Sequence, residues 1–137
     1  LPATLDPDDA GCAICVTVGR GGNIEGNSIS GSLQGNFFGI VLTGLFGSTE
    51  YITVKNNFVT GCALPGLADN ASIFGPGTEA KCCVFKDNVA VGNLINCDFQ
   101  DPSTVLVNNV CNCAEPPVVE SVGIQSAQKI QVEKRKL

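Results

Sequence analysis

The sequence predicts an all-β fold, a short parallel β-helix (solenoid) of about four coils, and three observations carry that prediction. First, an apolar stretch that runs into Asn and out into another apolar stretch occurs four times, at residues 23–29, 52–59, 84–91 and 105–110. Aligning Asn27, Asn57, Asn88 and Asn109 gives steps of 30, 31 and 21 residues, the period of stacked repeats that cannot bury an apolar face alone. Second, the strand candidates are four or five residues long, rich in Val, Ile, Phe and Thr and punctuated by Gly and Asn, which excludes a helical bundle. Third, a β-sandwich would show turn signals without one residue recurring at one place, whereas here the same Asn returns in the same local context.

The elements follow in order. Residues 1–11 hold two prolines and three aspartates and read as an irregular, acidic N-terminal segment. Residues 15–18 (Cys-Val-Thr-Val) are the first strand candidate, ended by Gly19 and the pair Gly21-Gly22. Residues 26–59 read as a complete coil with strands at 27–30, 39–43 and 50–54, separated by Gly31, Gly35, Gly44 and Gly47. Residues 61–77 read as a loop-like elaboration of the second repeat, with one strand candidate at 71–74. Cys62, Cys82 and Cys83 bracket it, and at least one disulfide is expected to fasten it to the body. The solenoid is placed at residues 12–116, and Pro116-Pro117 opens a C-terminal arm, residues 117–137.

The recurrence of Asn has a physical reason. A tight bend between two strands of a coil needs a residue that tolerates left-handed or bridging dihedrals, and Asn does so more readily than other non-Gly residues. Its amide also carries both donor and acceptor, so Asn27, Asn57, Asn88 and Asn109 can bond one another in a ladder from coil to coil.

Composition bounds the setting. The 137 residues are 44% hydrophobic and 15% charged, with net charge −5, too apolar for disorder and sparing in surface charge, as if some surface were covered by another copy. The chain has eight cysteines (Cys12, Cys15, Cys62, Cys82, Cys83, Cys97, Cys111 and Cys113) and no His, Met or Trp, which points to disulfides in an oxidising compartment. Cys12 and Cys15 have the gap of a zinc knuckle, but the other cysteines supply no second pair at that spacing. A start at Leu1 with no apolar leader is the expected form of a secreted, extracellular chain after signal removal, and no run is long enough for a membrane span. Asn70-Ala71-Ser72 is a glycan acceptor triplet in a Gly- and Pro-rich stretch, so Asn70 is the glycosylation candidate.

Gly39-Ile40-Val41-Leu42-Thr43-Gly44 and then Glu50-Tyr51-Ile52-Thr53-Val54-Lys55-Asn56-Asn57-Phe58-Val59 resemble coils of right-handed parallel β-helix proteins of the pectate-lyase-like superfamily. There a Gly-hydrophobic-x-hydrophobic strand precedes one that ends at Asn-Asn-hydrophobic. The resemblance spans roughly residues 12–113 and implies a right-handed coil. The superfamily includes polysaccharide lyases and hydrolases as well as tailspikes, adhesins and surface proteins, so architecture alone does not fix function.

The chemistry of such enzymes is thinly represented. Hydrolysis would use clustered carboxylates, and the best cluster is Asp98 with Asp101, although Asp101 precedes Pro102 as a turn initiator does. The lyase pattern implies Arg or Lys beside calcium-binding acids, and Arg20 has no acidic cluster around it in sequence. No His can activate a nucleophile, Tyr51 is the only aromatic of the platform type used for sugars, and net charge −5 disfavours nucleic acid. A water-ordering face built from Ser28, Ser30, Thr43, Thr53 and Thr60 would need a regular Thr-x-Thr array, which is absent. No enzyme activity, cofactor or metal is expected.

Charge is distributed unevenly. Residues 1–128 carry four basic and twelve acidic side chains, whereas residues 129–137 carry Lys129, Lys134, Arg135 and Lys136 against Glu133. Lys129-Ile130-Gln131-Val132-Glu133 alternates with period two, as an extended arm would. A basic arm can dock on an acidic surface. The sequence therefore leads to a secreted structural subunit that assembles head to tail into a filament or surface layer, with Asp6, Asp8, Asp9, Lys129, Lys134, Arg135 and Lys136 joining successive copies. The alternative is a small carbohydrate-binding or carbohydrate-active β-helix with glycans as partners.

Overall fold

A computed structural model describes residues 10–33 and 35–112, and in it the short apolar runs form strands that fall into tiers. β1 (Gly11–Val16), β2 (Gly19–Glu25) and β3 (Ser28–Ser30) make the first tier, and β4 (Phe37–Leu42), β5 (Thr49–Lys55) and β6 (Phe58–Thr60) the second. β7 (Leu67–Ala68), β8 (Val84–Lys86) and β9 (Val89–Ala90) make the third, followed by β10 (Cys97–Asp98) and β11 (Val105–Val107). Strands pair with neighbours from adjacent tiers, in sheets ordered β1-β4-β7-β10, β2-β5-β8-β11 and β3-β6-β9. All pairings between these strands are parallel. The fold is thus all-β and built of parallel sheets. A parallel pair needs a long crossover, and here the crossover is the remainder of a tier, which accounts for repeats of about 30 residues.

Register sets the core. Ile24, Val54, Phe85 and Leu106 share one column of the second sheet. Ile14, Ile40, Leu67 and Cys97 share one of the first, and Ile29, Val59 and Ala90 one of the third. Val54, Phe85, Ile40, Leu67, Val59 and Ala90 are all 0% exposed and belong to one cluster. A Val, Leu, Ile or Phe buried to that degree contributes about 1.5–3 kcal/mol. Phe38, Val41, Leu64, Ala68 and Ala71 form a second cluster. β4 feeds both, so it is buried almost continuously and does not alternate.

Three local expectations are corrected. The Gly-rich run after Val18 is not merely a strand terminator: Gly19–Glu25 is β2, in register with β5. Its glycines allow a kink, since Gly21 (φ 79°) leads a left-handed position continued by Tyr51 (61°) and Cys82 (55°) in the following tiers. Residues 61–77 are not an elaboration, because Leu67-Ala68 forms β7, the link between β4 and β10. The Pro65-Gly66 turn signal hides this two-residue strand, and full burial of both residues decides it. Residues 71–74 are not a strand: Ser72–Phe74 is a 3-10 turn, closed by Phe74 N–H donating to Ala71 O at 2.8 Å.

One pair of glycines is dictated by packing between tiers. A Cβ on Gly31 would collide with the Gly61 carbonyl, and one on Gly61 with the Gly31 backbone. The two connections from the third sheet back to the first touch there, and only glycine permits that approach.

Candidate functional site

Asn27, Asn57, Asn88 and Asn109 form the ladder. Asn57 Oδ1 accepts both the backbone N–H and Nδ2 of Asn27, at 2.9 and 3.0 Å. Asn88 Oδ1 accepts the same two donors of Asn57, each at 3.0 Å, and Asn109 Oδ1 those of Asn88, at 3.2 and 2.8 Å. Each amide also reaches back to the preceding tier: Asn57 Nδ2 donates to Ile24 O at 3.0 Å, Asn88 Nδ2 to Val54 O at 2.9 Å and Asn109 Nδ2 to Phe85 O at 2.8 Å. Asn57 and Asn88 are 2% and 0% exposed, a position tolerable only for fully partnered amides.

The left-handed bend belongs to a different residue from the one the sequence suggests. It falls just before each ladder Asn, on Gly26 (φ 75°), Asn56 (56°), Asp87 (57°) and Asn108 (55°). These residue types tolerate that conformation, and the bend leaves the next residue to bury its amide. Asp87 is therefore a turn residue.

A second ladder escaped the sequence reading. Asn93 Oδ1 accepts the Cys62 N–H at 2.8 Å, and Asn93 Nδ2 donates to Val59 O at 3.1 Å and to Asn96 Oδ1 at 3.0 Å. Gly61 (φ 79°) and Gly92 (69°) precede Cys62 and Asn93, repeating the bend-then-ladder pattern. The signal was the spacing of Gly61-Cys62 and Gly92-Asn93, obscured because Cys62 has no amide.

The acids are organised around Asp69, which the sequence did not single out. It is 0% exposed. Its Oδ1 accepts Asn70 Nδ2 at 3.0 Å and the Gln100 N–H at 2.8 Å, and its Oδ2 accepts the Asp101 N–H at 3.0 Å and Thr104 Oγ1 at 2.5 Å. Four donors leave this carboxylate satisfied as an anchor for residues 100–104. The Asp98 and Asp101 candidates lie around it in structural roles. Asp98 accepts Ser72 Oγ at 3.1 Å and Gln100 Nε2 at 3.0 Å. Asp101, 7% exposed, pairs with Lys81 Nζ at 2.6 Å and accepts both the N–H and the hydroxyl of Ser103. Burial raises the Asp101 carboxyl, but the Lys81 ammonium and the Ser103 donors outweigh it and hold the group below its usual range. Lys81 is held above its usual value chiefly by that same bond. Arg20 pairs with Glu50 at 3.2 Å and lies over the Tyr51 ring at 4.9 Å from its centre.

Disulfides join Cys12 to Cys15 and Cys97 to Cys111, whereas Cys62, Cys82 and Cys83 are free thiols, a correction. Cys82 occupies the outward left-handed kink beside Tyr51, while Cys83 and Cys62 are buried in the main core cluster. Burial pushes the Cys62 and Cys83 thiols up. Asn70, the glycan acceptor candidate, is 1% exposed and its Nδ2 donates to Asp69 Oδ1 at 3.0 Å and to Asp98 O at 2.8 Å. Cys113, the acidic residues Asp6, Asp8 and Asp9, and the basic residues Lys129, Lys134, Arg135 and Lys136 lie outside the described residues, as do the boundaries of the two terminal segments.

Two surface concavities stand out. An apolar groove of about 350 Å³ includes the Cys12–Cys15 disulfide, Phe38, Phe46 and Phe74 in its lining. A polar one of about 300 Å³ is bordered by Ser48, Thr49, Glu50, Glu79 and Lys81. Among the described residues, no group of three His, Cys, Asp or Glu is arranged to hold a metal ion, and no helix is long and apolar enough to cross a membrane. Comparison with known proteins finds no matching family model, no similar curated protein and no similar solved structure.

Proposed function

We propose that the protein is a secreted structural subunit whose tiers are the coils of a short right-handed parallel β-helix, similar to pectate-lyase-like scaffolds, and that it self-associates head to tail into a filament or surface layer. The observation that carries this reading is the pair of open sheet ends. β1, β2 and β3 on one side, and β10 and β11 on the other, each have a strand neighbour on one side only among the described residues. Unpaired parallel edges recruit further strands, and a heterologous contact that does not close generates a filament. The buried polar groups support a scaffold, since Asn57, Asn88, Asp69 and Asp101 are engaged in holding tiers together. Light scattering and negative-stain imaging of the native protein across salt and concentration test it; monomers throughout would reject it.

A second reading has one specific observation behind it. The polar concavity bordered by Glu50, Glu79 and Lys81 brings together two carboxylates and an ammonium, which suits a sugar. A glycan array and a reducing-end assay distinguish this carbohydrate-binding or carbohydrate-active reading, and turnover or saturable binding lost in Glu79→Gln would favour it.

A further inference from the structure

The polar concavity between the second and third tiers contains a group that the fold leaves unmatched. Thr49 is one of its lining residues and is 1% exposed, and among the described residues its Oγ1 has no hydrogen-bond partner. Register explains the gap. On one side Thr49 is level with Gly19 of β2, and on the other the bridge between Glu50 and Lys81 sets it beside Ala80. Neither neighbour has a polar side chain, so the column offers the hydroxyl nothing. An unpaired buried hydroxyl is destabilising, and its retention is accounted for if a ligand supplies the bond.

The rest of the concavity is polar and held in place. The loop between β4 and β5 forms one wall and is tied to the following tier, because Thr43 Oγ1 and the Gly44 N–H both donate to Thr78 O, at 2.7 and 3.0 Å. Ser48, Glu50, Glu79 and Lys81 also line it. Its charges are unequally matched. Glu50 is paired with Arg20, and the Lys81 ammonium is held by Asp101 at 2.6 Å, whereas among the described residues Glu79 has no ion-pair partner. One carboxylate and one hydroxyl are thus uncommitted, and a volume of about 300 Å³ suits a single sugar ring rather than a larger ligand.

From these two groups we infer that the concavity is a subsite for one amino-sugar unit with a free ammonium group, the ammonium bonded to Glu79 and a ring hydroxyl to Thr49 Oγ1. An ammonium gives an unpaired carboxylate a charge-assisted bond, where a neutral hexose gives it only an ordinary one. An acidic sugar would bring like charge to Glu79 and Glu50. The assignment rests on the carbohydrate-binding reading of this concavity and deepens it by naming the class of sugar.

The test titrates the full-length protein with glucosamine, N-acetylglucosamine and glucose at about pH 6, where the amine is protonated, and follows the backbone amides of residues 44–50 and 79–81 by NMR. Glucosamine should bind at least about tenfold more tightly than glucose, the gain of a charge-assisted over a neutral bond, and N-acetylglucosamine no more tightly than glucose. Glu79→Gln should bring glucosamine down to the level of glucose or below. Glu25→Gln, which removes the same charge from the exposed far end of β2, should leave the preference intact; equal loss in both variants would reduce it to net charge and overturn the site. Thr49→Val should weaken glucosamine at least about threefold while raising the urea midpoint of the ligand-free protein, because a methyl replaces an unpaired hydroxyl. A lowered midpoint would show that the hydroxyl is already bonded within the fold and overturn its role. If the three sugars bind equally, or the acetylated one binds best, the amino-sugar assignment is wrong while the carbohydrate reading stands. If none of them shifts these amides, both fail together.

Discussion

Removal of one inner rung of the amide ladder is the sharpest perturbation of this fold. Asn88→Ala deletes an acceptor for the Asn57 N–H and Nδ2, at 3.0 Å each, and a donor to Val54 O at 2.9 Å and to Asn109 Oδ1 at 2.8 Å. Asn57 and Val54 are 2% and 0% exposed, so water cannot replace the missing partner without opening the stack. The buried Asn57 N–H left unsatisfied costs about 1–3 kcal/mol, and the lost side-chain bonds to Asn57, Val54 O and Asn109 add about 1 kcal/mol each at most, which puts the expected loss at about 4 kcal/mol, in the range reserved for named core defects. Asn27→Ala is the control. It removes one good side-chain bond, to Asn57 Oδ1, and leaves the backbone bond to that same oxygen, for an expected loss of about 1 kcal/mol. Asn88→Asp separates volume from hydrogen bonding, since it keeps the shape and acceptor but turns a donor into an acceptor facing Val54 O. It should be at least as damaging as Asn88→Ala. Urea unfolding followed by circular dichroism measures all three as shifts in midpoint at constant slope. Equal losses for Asn88→Ala and Asn27→Ala, or a benign Asn88→Asp, would refute the idea that the ladder carries tier-to-tier stability.

Three further outcomes are expected. Asp69→Ala should lose protection of the Gln100 and Asp101 amides in hydrogen exchange, because both N–H groups donate to that carboxylate, while the amides of β2 and β5 keep theirs. The Lys81–Asp101 pair should give a stability advantage over Lys81→Met that is complete between the ordinary values of 3.8 and 10.5. A lowered Asp101 loses its contribution as pH falls through its folded pKa below 3.8, a raised Lys81 as pH rises past 10.5, so a gap that closes at neutral pH contradicts the assignment. Native thiol labelling with peptide mapping should modify Cys82, which is exposed, well before Cys62 and Cys83, which are buried; comparable labelling of the three would contradict the placement of Cys83 in the core.

The readable part of the fold was the part controlled by local repetition. Asn27, Asn57, Asn88 and Asn109 could be aligned because each lies in the same apolar context, and a ladder needs the same side chain at each level. The bend residues were harder to read, because Gly26, Asn56, Asp87 and Asn108 are three different residue types that share a single backbone requirement, φ near +55° to +75°. Leu67-Ala68 was missed because two residues carry no periodicity. Asp69 was missed because an acid between Ala68 and Asn70 looks like loop, and its four donors come largely from residues 100–104, about thirty positions away. The disulfide expectation for Cys62, Cys82 and Cys83 failed for a related reason: bracketing in sequence says nothing about which way a side chain points, and the left-handed kink at Cys82 sets it apart from Cys83.

By itself the sequence determined that the chain is β-structured, that its strands are short and that it repeats about every 30 residues, because strand propensity, glycine punctuation and a recurring amide are local properties. Only the tertiary structure decided what those repeats do with their polar groups. Stacking in parallel register turns Asn into a buried ladder, Asp69 into an anchor and two separated pairs of charges, Arg20 with Glu50 and Lys81 with Asp101, into ion pairs. It also decides which inward side chain, Leu106, is left half uncovered, since burial depends on whether another tier lies above and not on the residue's own neighbours in sequence.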